Sequence, residues 1–240
     1  MLIDNYHGHT LRQFTLYGHK TILVQPNNPL PGNPWVWRME FFDAFPSVDI
    51  DLLNKGYAVA YYSVSNRFGS PEAIAVMEHF REWYCDTMKM SPKPVLFGFS
   101  RGGLYAVNYA LTYPDHVGAI YLDAPVLDFR SWPGLGRGYD RDWEDCIRSY
   151  NLTTEEAMNY HQMPIDRAAE LAALNIPLLI VAGESDRVVP SKENLDVFEA
   201  AYKAAGGKMS VIRKPFCDHH PHSLADPAPI SSWILRVMGY

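Results

Sequence analysis

The stretch Pro94-Val95-Leu96-Phe97-Gly98-Phe99-Ser100-Arg101-Gly102-Gly103-Leu104 decides the fold. Its first half is a short apolar run rich in aromatic and branched residues, which reads as a buried strand; from Arg101 to Tyr113 the spacing turns helical. Between the two sits a serine with a glycine two residues before it and another two after. A strand that turns directly into a helix forces the serine at the turn into a strained backbone conformation, and small residues at Gly98 and Gly102 let the neighbouring segments close in. The hydroxyl then stands at a helix N-terminus, where the dipole and free N–H groups favour negative charge. The simpler reading makes Ser100 an ordinary N-cap and the glycines merely permissive.

Working outward, further strand-like runs occur at Phe14 to Tyr17, Thr21 to Val24, Tyr57 to Val64, Val117 to Leu122, Pro177 to Ala182 and Met209 to Arg213. Helical patterns lie at Pro71 to Met88, Ser191 to Ala205 and Pro229 to Met238. Strand and helix therefore alternate, which predicts an α/β layer architecture with a mainly parallel sheet covered by helices on both faces. The first two runs are separated only by Gly18, His19 and Lys20, a spacing that predicts an antiparallel hairpin at the sheet edge. One interval breaks the rhythm. Residues 128–176 carry no strand but three helical patterns and Trp132, and so read as an insertion folded over the sheet within a single domain spanning 1–240.

With 240 residues, 48% hydrophobic and 20% charged, the chain has the composition of a globular protein with a sizeable core. A net charge of -6 without a long basic run gives no electrostatic reason to expect nucleic acid or an anionic membrane as partner. Cys85, Cys146 and Cys217 are too few and too scattered for a disulfide framework or a thiolate zinc site, and read as free thiols. The start Met1-Leu2-Ile3-Asp4-Asn5 has no basic and apolar signal pattern, and no apolar window approaches a membrane span, so the chain is expected to be cytoplasmic.

The serine turn between a strand and a helix resembles the nucleophile elbow of the α/β-hydrolase superfamily, and the resemblance extends from about Phe14 to the C-terminus. It implies an eight-stranded, mostly parallel sheet flanked by helices, with a small helical cap after strand six, where residues 128–176 fall. It also implies a Ser-Asp-His chain order. Leu178-Leu179-Ile180-Val181-Ala182-Gly183-Glu184-Ser185-Asp186-Arg187-Val188-Val189-Pro190 is similar to the family's acid loop, which makes Asp186 the orienting carboxylate, with Glu184 and Asp123 as competitors. The terminal histidine loop is Cys217-Asp218-His219-His220-Pro221-His222. Family members place a glycine directly before the base; Asp218 stands there in this chain, so His219 is the carried-over base, His220 the alternative, and His222 a structural hydrogen-bonding partner. The same cluster has the donor types of a metal site, but adjacent ligands on a short loop rarely converge on one ion, so no metal and no cofactor are expected.

For the oxyanion, the backbone N–H of Arg101 is the first donor, and Asn27, in the loop after the strand Thr21 to Val24, is the positional candidate for the second, because Pro26 has no N–H. Trp35, Trp37, Arg38 and Trp132 are candidate pocket residues; the tryptophans equally suit the core, and Arg38, Arg101 and Arg130 equally suit ion pairs. The Pro-Trp-Val-Trp-Arg and His-His-Pro-His-Ser patterns resemble a bacterial subgroup associated with carbohydrate esters. The expected function is thus serine-dependent hydrolysis of short-acyl esters of a small polar or carbohydrate-like molecule. Peptidase, thioesterase, carbon–carbon hydrolase or lyase chemistry, or a silent binding protein on the same fold, are the alternatives.

Overall fold

The chain opens with two hairpins made by the same backbone device. In the computed structural model, which describes residues 1–240, β1 (Leu2–Tyr6) turns at His7 and Gly8 into β2 (His9–Leu16), and β2 turns at Tyr17 and Gly18 into β3 (His19–Gln25). Both central residues of each turn have positive φ (49° and 89°, then 50° and 82°), the left-handed pair that matches the twist of antiparallel strands. There follow β4 (Trp35–Arg38), α1 (Ser47–Asn54), β5 (Ala58–Tyr62), α2 (Pro71–Met88), β6 (Val95–Phe99), α3 (Gly102–Thr112) and β7 (Ala119–Asp123). The segment up to the next strand holds α4 (Gly134–Arg137), α5 (Asp140–Ser149), α6 (Thr154–Met158) and α7 (Ala168–Ala173); β8 (Leu178–Gly183), α8 (Leu195–Ala204), β9 (Ser210–Lys214) and α9 (Ala228–Met238) complete the chain.

The strands form one sheet in the order β1-β2-β3-β5-β4-β6-β7-β8-β9. Strands β4 to β9 are mutually parallel, whereas β1, β2 and β3 join antiparallel at one end. The sheet has nine strands where eight are expected, because β1 adds an edge. Four of its five residues are exposed, so it lacks the apolar alternation by which a strand is read from sequence.

Strand β4 is the second departure. Its four residues are all fully buried, and they alternate between two cores: Trp35 and Trp37 join the cluster under α2 and α3, while Val36 joins the one under α1 and α9. Trp35 packs edge-on to Tyr84 with ring centroids 4.8 Å apart, and Trp37 lies 5.2 Å from both Phe80 and Tyr109. Both tryptophans are therefore core residues and not walls of the pocket. A tryptophan buried to this extent contributes about 150–250 Å² of removed surface, which adds to the short strand's few ladder bonds.

The interval between β7 and β8 forms the expected insertion, counting strands from β2. Phe129, Trp143, Cys146, Ala157 and Met163 make a small apolar core of their own against Phe68, Leu104 and Val189. Its last helix, α7, belongs to the main body, since Ala168, Leu171 and Ala172 pack in the large cluster with Leu195 and Phe198 of α8.

Candidate active site

Ser100 sits where β6 ends and α3 begins, with φ 49°, a left-handed conformation that an L-residue with a side chain adopts at a cost of about 1–3 kcal/mol. Three backbone bonds hold it there: its N–H donates to the Asp123 carbonyl at 2.9 Å, and its own carbonyl accepts from Gly103 N–H at 3.0 Å and Val126 N–H at 2.9 Å. The glycines of the turn are unequal. A Cβ on Gly98 would lie 2.7 Å from Leu122 and 2.8 Å from the Gly102 carbonyl, and one on Gly103 would lie 2.7 Å from Pro125, but one on Gly102 meets nothing closer than 3.5 Å. Close approach is thus required at Gly98 and Gly103; the expectation for Gly102 is corrected.

The acid and histidine loops converge on this serine. Asp186, 7% exposed, accepts at Oδ1 from the Val188 and Val189 N–H groups at 2.9 and 2.8 Å, which leaves Oδ2 facing His219 Nδ1 at 2.7 Å. A carboxylate at Nδ1 fixes the tautomer with the proton there, so Nε2, 3.0 Å from Ser100 Oγ, is the nitrogen that accepts. Glu184 is exposed, and Asp123 pairs with a different histidine, His222, through Oδ1 at 2.8 Å. The structure therefore brings Ser100, His219 and Asp186 into one line and leaves both competing acids outside it.

Asp218, at the place of the expected glycine, has work of its own. Its carboxylate accepts from Arg187 N–H at 2.9 Å, from the Arg187 guanidinium, and from His219 N–H at 2.8 Å. These bonds, the Arg187 backbone N–H first, hold its carboxyl down at about 2. The room for this clasp comes from Gly183, where a Cβ would lie 2.4 Å from the Cys217 carbonyl oxygen and 2.5 Å from that of Asp218.

A cavity of about 390 Å³ opens at Ser100, lined on its apolar side by Phe41, Phe45, Phe99, Trp132 and Val188. Arg101, Asp142 and the three histidines of the terminal loop supply its polar wall. His220 is exposed and stacks on Phe45 with ring centroids 5.4 Å apart; partial burial and the neighbouring His222 and His219 rings lower its pKa.

Arg38 and Asn27 are elsewhere. Arg38 is fully buried, donating to Asp49 at 2.9 Å and to the Ala44 carbonyl at 2.7 Å, with its guanidinium 4.1 Å from the Phe99 ring centre. It thus anchors the loop after β4 to the sheet and is closed to substrate. Asn27 follows β3, and β3 runs antiparallel to β5, so its end lies at the N-terminal rim of the parallel strands, opposite Ser100. Its side-chain amide donates to the Gly8 carbonyl at 3.1 Å. The loop that reaches Ser100 is the one after β4, whose Phe41, Ala44 and Phe45 line the cavity. No local pattern in the sequence marks it, because the four residues of β4 are all buried and show no alternation. Arg130 is likewise engaged, with Asp128 at 2.8 Å and Asp166 at 3.1 Å.

This arrangement, with a strained serine at the C-terminal rim of a parallel sheet beneath a helical insertion, defines an α/β-hydrolase. The alpha/beta hydrolase fold family model matches residues 30–164, and the chain belongs to that family. Among solved structures it is similar to a Bacteroides ovatus protein assigned as a dipeptidyl aminopeptidase IV (17% identity, TM-score 0.73) and to Porphyromonas gingivalis dipeptidyl peptidase 4 (16%, 0.68). These matches cover 98% of this chain but only 36% of each peptidase chain. An Acinetobacter baumannii protein assigned as a lipase matches over 97% of this chain and 93% of its own, at 14% identity and TM-score 0.67. At such identities the likeness shows a shared fold. No helix is long and apolar enough to cross a membrane.

Proposed function

We infer that this protein is a serine hydrolase of carboxylic esters, acting on short-acyl esters of a small polar or carbohydrate-like alcohol. The observation that carries the reading is the line Ser100 Oγ, His219 Nε2, Asp186 Oδ2, with steps of 3.0 and 2.7 Å, opening into a largely aromatic cavity. His219 Nε2 takes the hydroxyl proton as Ser100 Oγ attacks the ester carbonyl, and Asp186 stabilises the imidazolium so formed. The oxyanion is received by the Arg101 N–H and by an N–H of the loop after β4, for which Phe41 is the candidate. Neither the Arg101 nor the Phe41 N–H has a partner within the protein, and both residues line the cavity. Each such donor is worth about 10²–10³ in kcat. His219 then returns its proton to the leaving alkoxide, and water, activated by the same nitrogen, releases the acid from the acyl-serine.

A cavity near 390 Å³ lies at the small end of ligand pockets, which suits an acetyl-sized acyl group better than a long chain. The carbohydrate-like alcohol rests on the resemblance carried by Pro34-Trp35-Val36-Trp37-Arg38 and His219-His220-Pro221-His222-Ser223. One observation favours a second reading: Asp142 of α5 adds a carboxylate to the wall, a fit for the ammonium of an aminoacyl or peptide substrate.

The test is fluorophosphonate labelling with peptide mapping, beside turnover of p-nitrophenyl acetate, acetylated sugars and dipeptidyl nitroanilides. Label on Ser100 and ester turnover, both lost in Ser100→Ala, are the expected results. Folded protein that takes no label at Ser100 refutes the reading, and faster cleavage of the nitroanilides replaces it with the second.

A further inference from the structure

Beside the line through Ser100, the terminal loop builds a second carboxylate–imidazole pair. Asp123, the fully buried last residue of β7, meets His222 Nδ1 at 2.8 Å through Oδ1, while its Oδ2 accepts from Tyr121 OH at 2.7 Å and from Ser223 N–H at 2.8 Å. Nδ1 of both His219 and His222 is thus committed to a buried carboxylate, and Nε2 is the nitrogen left to each. His220 completes a triangle with them, its ring centroid 4.8 Å from each of theirs, which are 5.0 Å apart. One ligand nitrogen from each of the three histidines lies within 4.8 Å of the others.

A carboxylate behind an imidazole orients the ring and raises its basicity, which is how proteins prepare histidine for a metal ion. We propose that His219, His220 and His222 form a binding site for a divalent transition-metal ion of the zinc and copper class, and that the ion holds the hydrolase inactive until it is removed. The second clause rests on the reading of His219 as the base. The donor set selects the ion: three imidazoles suit zinc, copper or nickel, and lack the oxygen ligands that magnesium or calcium requires. Neighbouring donors are engaged elsewhere, Asp218 with Arg187, and Cys217 Sγ with the carbonyls of His220 and Pro221 at 3.7 and 4.0 Å.

The geometry is open but close. With metal–nitrogen bonds of about 2.0–2.1 Å, tetrahedral ligands stand roughly 3.4 Å apart. The nitrogens must therefore draw together by up to roughly 1.4 Å from their present span. The exposed His220 closes on the other two by leaving its stack on Phe45, and the buried His219 and His222 rings supply whatever approach is needed between themselves. Because His219 Nε2 has a single lone pair, coordination replaces its hydrogen bond from Ser100, and general-base catalysis stops.

Metal-free protein is titrated with Zn²⁺ against a chromophoric chelator, and p-nitrophenyl acetate turnover is followed at the same free Zn²⁺. One ion per chain is expected, with inhibition rising in step with occupancy and reversed by chelator. His220→Ala, at the exposed rim, and His222→Gln should each weaken Zn²⁺ affinity at least about tenfold. Ser100→Ala should bind at least as tightly as the wild type. The proposal is overturned by absence of stoichiometric binding, by unchanged affinity in both histidine variants, or by a bound ion that leaves turnover intact. Metal-free protein that hydrolyses no ester yet binds one ion with this variant pattern sinks the esterase reading and leaves the metal site standing.

Discussion

Alanine substitution along the elbow separates what the Gly-x-Ser-x-Gly pattern implies from what the structure requires. At Gly103 a new Cβ would stand 2.7 Å from Pro125 Cβ and 2.8 Å from the Val126 carbonyl oxygen, against an ordinary contact of 3.4 Å or more. About 0.6–0.7 Å must be found by moving the segment that follows β7, an overpacking strain of about 1–3 kcal/mol. At about 2–4 °C per kcal/mol for a domain of this size, Tm falls by roughly 2–12 °C. That segment also carries the Val126 N–H bonded to the Ser100 carbonyl, so kcat falls with it. At Gly102 the nearest atom is 3.5 Å away, no left-handed φ is needed, and the residue opens α3, where alanine gains up to about 1 kcal/mol over glycine. Gly102→Ala should therefore leave Tm unchanged or raise it by up to about 4 °C. Thermal unfolding followed by circular dichroism, with p-nitrophenyl acetate kinetics on the same samples, reads both. A Gly102→Ala protein that loses as much Tm as Gly103→Ala refutes the close-packing account.

Other predictions concern the acids and the buried arginine. Asp186→Asn should lower kcat by about 10⁴ with little change in KM, since the wrong histidine tautomer then faces Ser100, whereas Asp123→Asn should lose at least a hundredfold less; steady-state kinetics decides, and the reverse order would transfer the acid role to Asp123. Arg38→Met leaves Asp49, whose carboxyl burial already pushes up in pKa, without its partner, and should cost about 3–5 kcal/mol in urea unfolding; a selective rise in KM at unchanged stability would instead return Arg38 to the substrate site. For Asp218, whose folded pKa of about 2 lies below the ordinary 3.8, the stabilising contribution is complete above the ordinary value and is lost as pH falls through 2. The Tm deficit of Asp218→Asn should accordingly be equal at pH 5 and pH 8 and close only below about pH 3; a deficit that closes already between pH 8 and pH 5 contradicts the clasp.

The triad candidates were legible because each lies in a short motif whose chemistry and chain order are local: a serine between strand and helix, an acid after an apolar run, a histidine in the terminal loop. The proposed second oxyanion donor was not, because its position depends on which strand lies beside β6. Trp35-Val36-Trp37-Arg38 is a strand of four residues buried on both faces, so it shows no alternation, and the prolines that precede it make it look like a loop. With β4 unmarked, the loop after β3 stands in the donor's place by chain order, which points to Asn27, at the opposite end of the sheet. The same holds for the tryptophans and Arg38, since loop residues beside a site read as pocket walls and strand residues read as core.

Asp218 shows how a departure from a family pattern is resolved by contacts that no local motif contains. The acid loop acts on His219 twice: Asp186 fixes the ring from Nδ1, and Arg187 holds the Asp218 carboxylate, which in turn accepts the backbone N–H of His219. Gly183, where no Cβ fits, lets the two loops touch. His219 is therefore oriented through its side chain and its main chain from one neighbouring loop, the kind of redundant support the proposed base would need to stay within a fraction of an ångström of its working position. A glycine at position 218 would supply neither carboxylate bond.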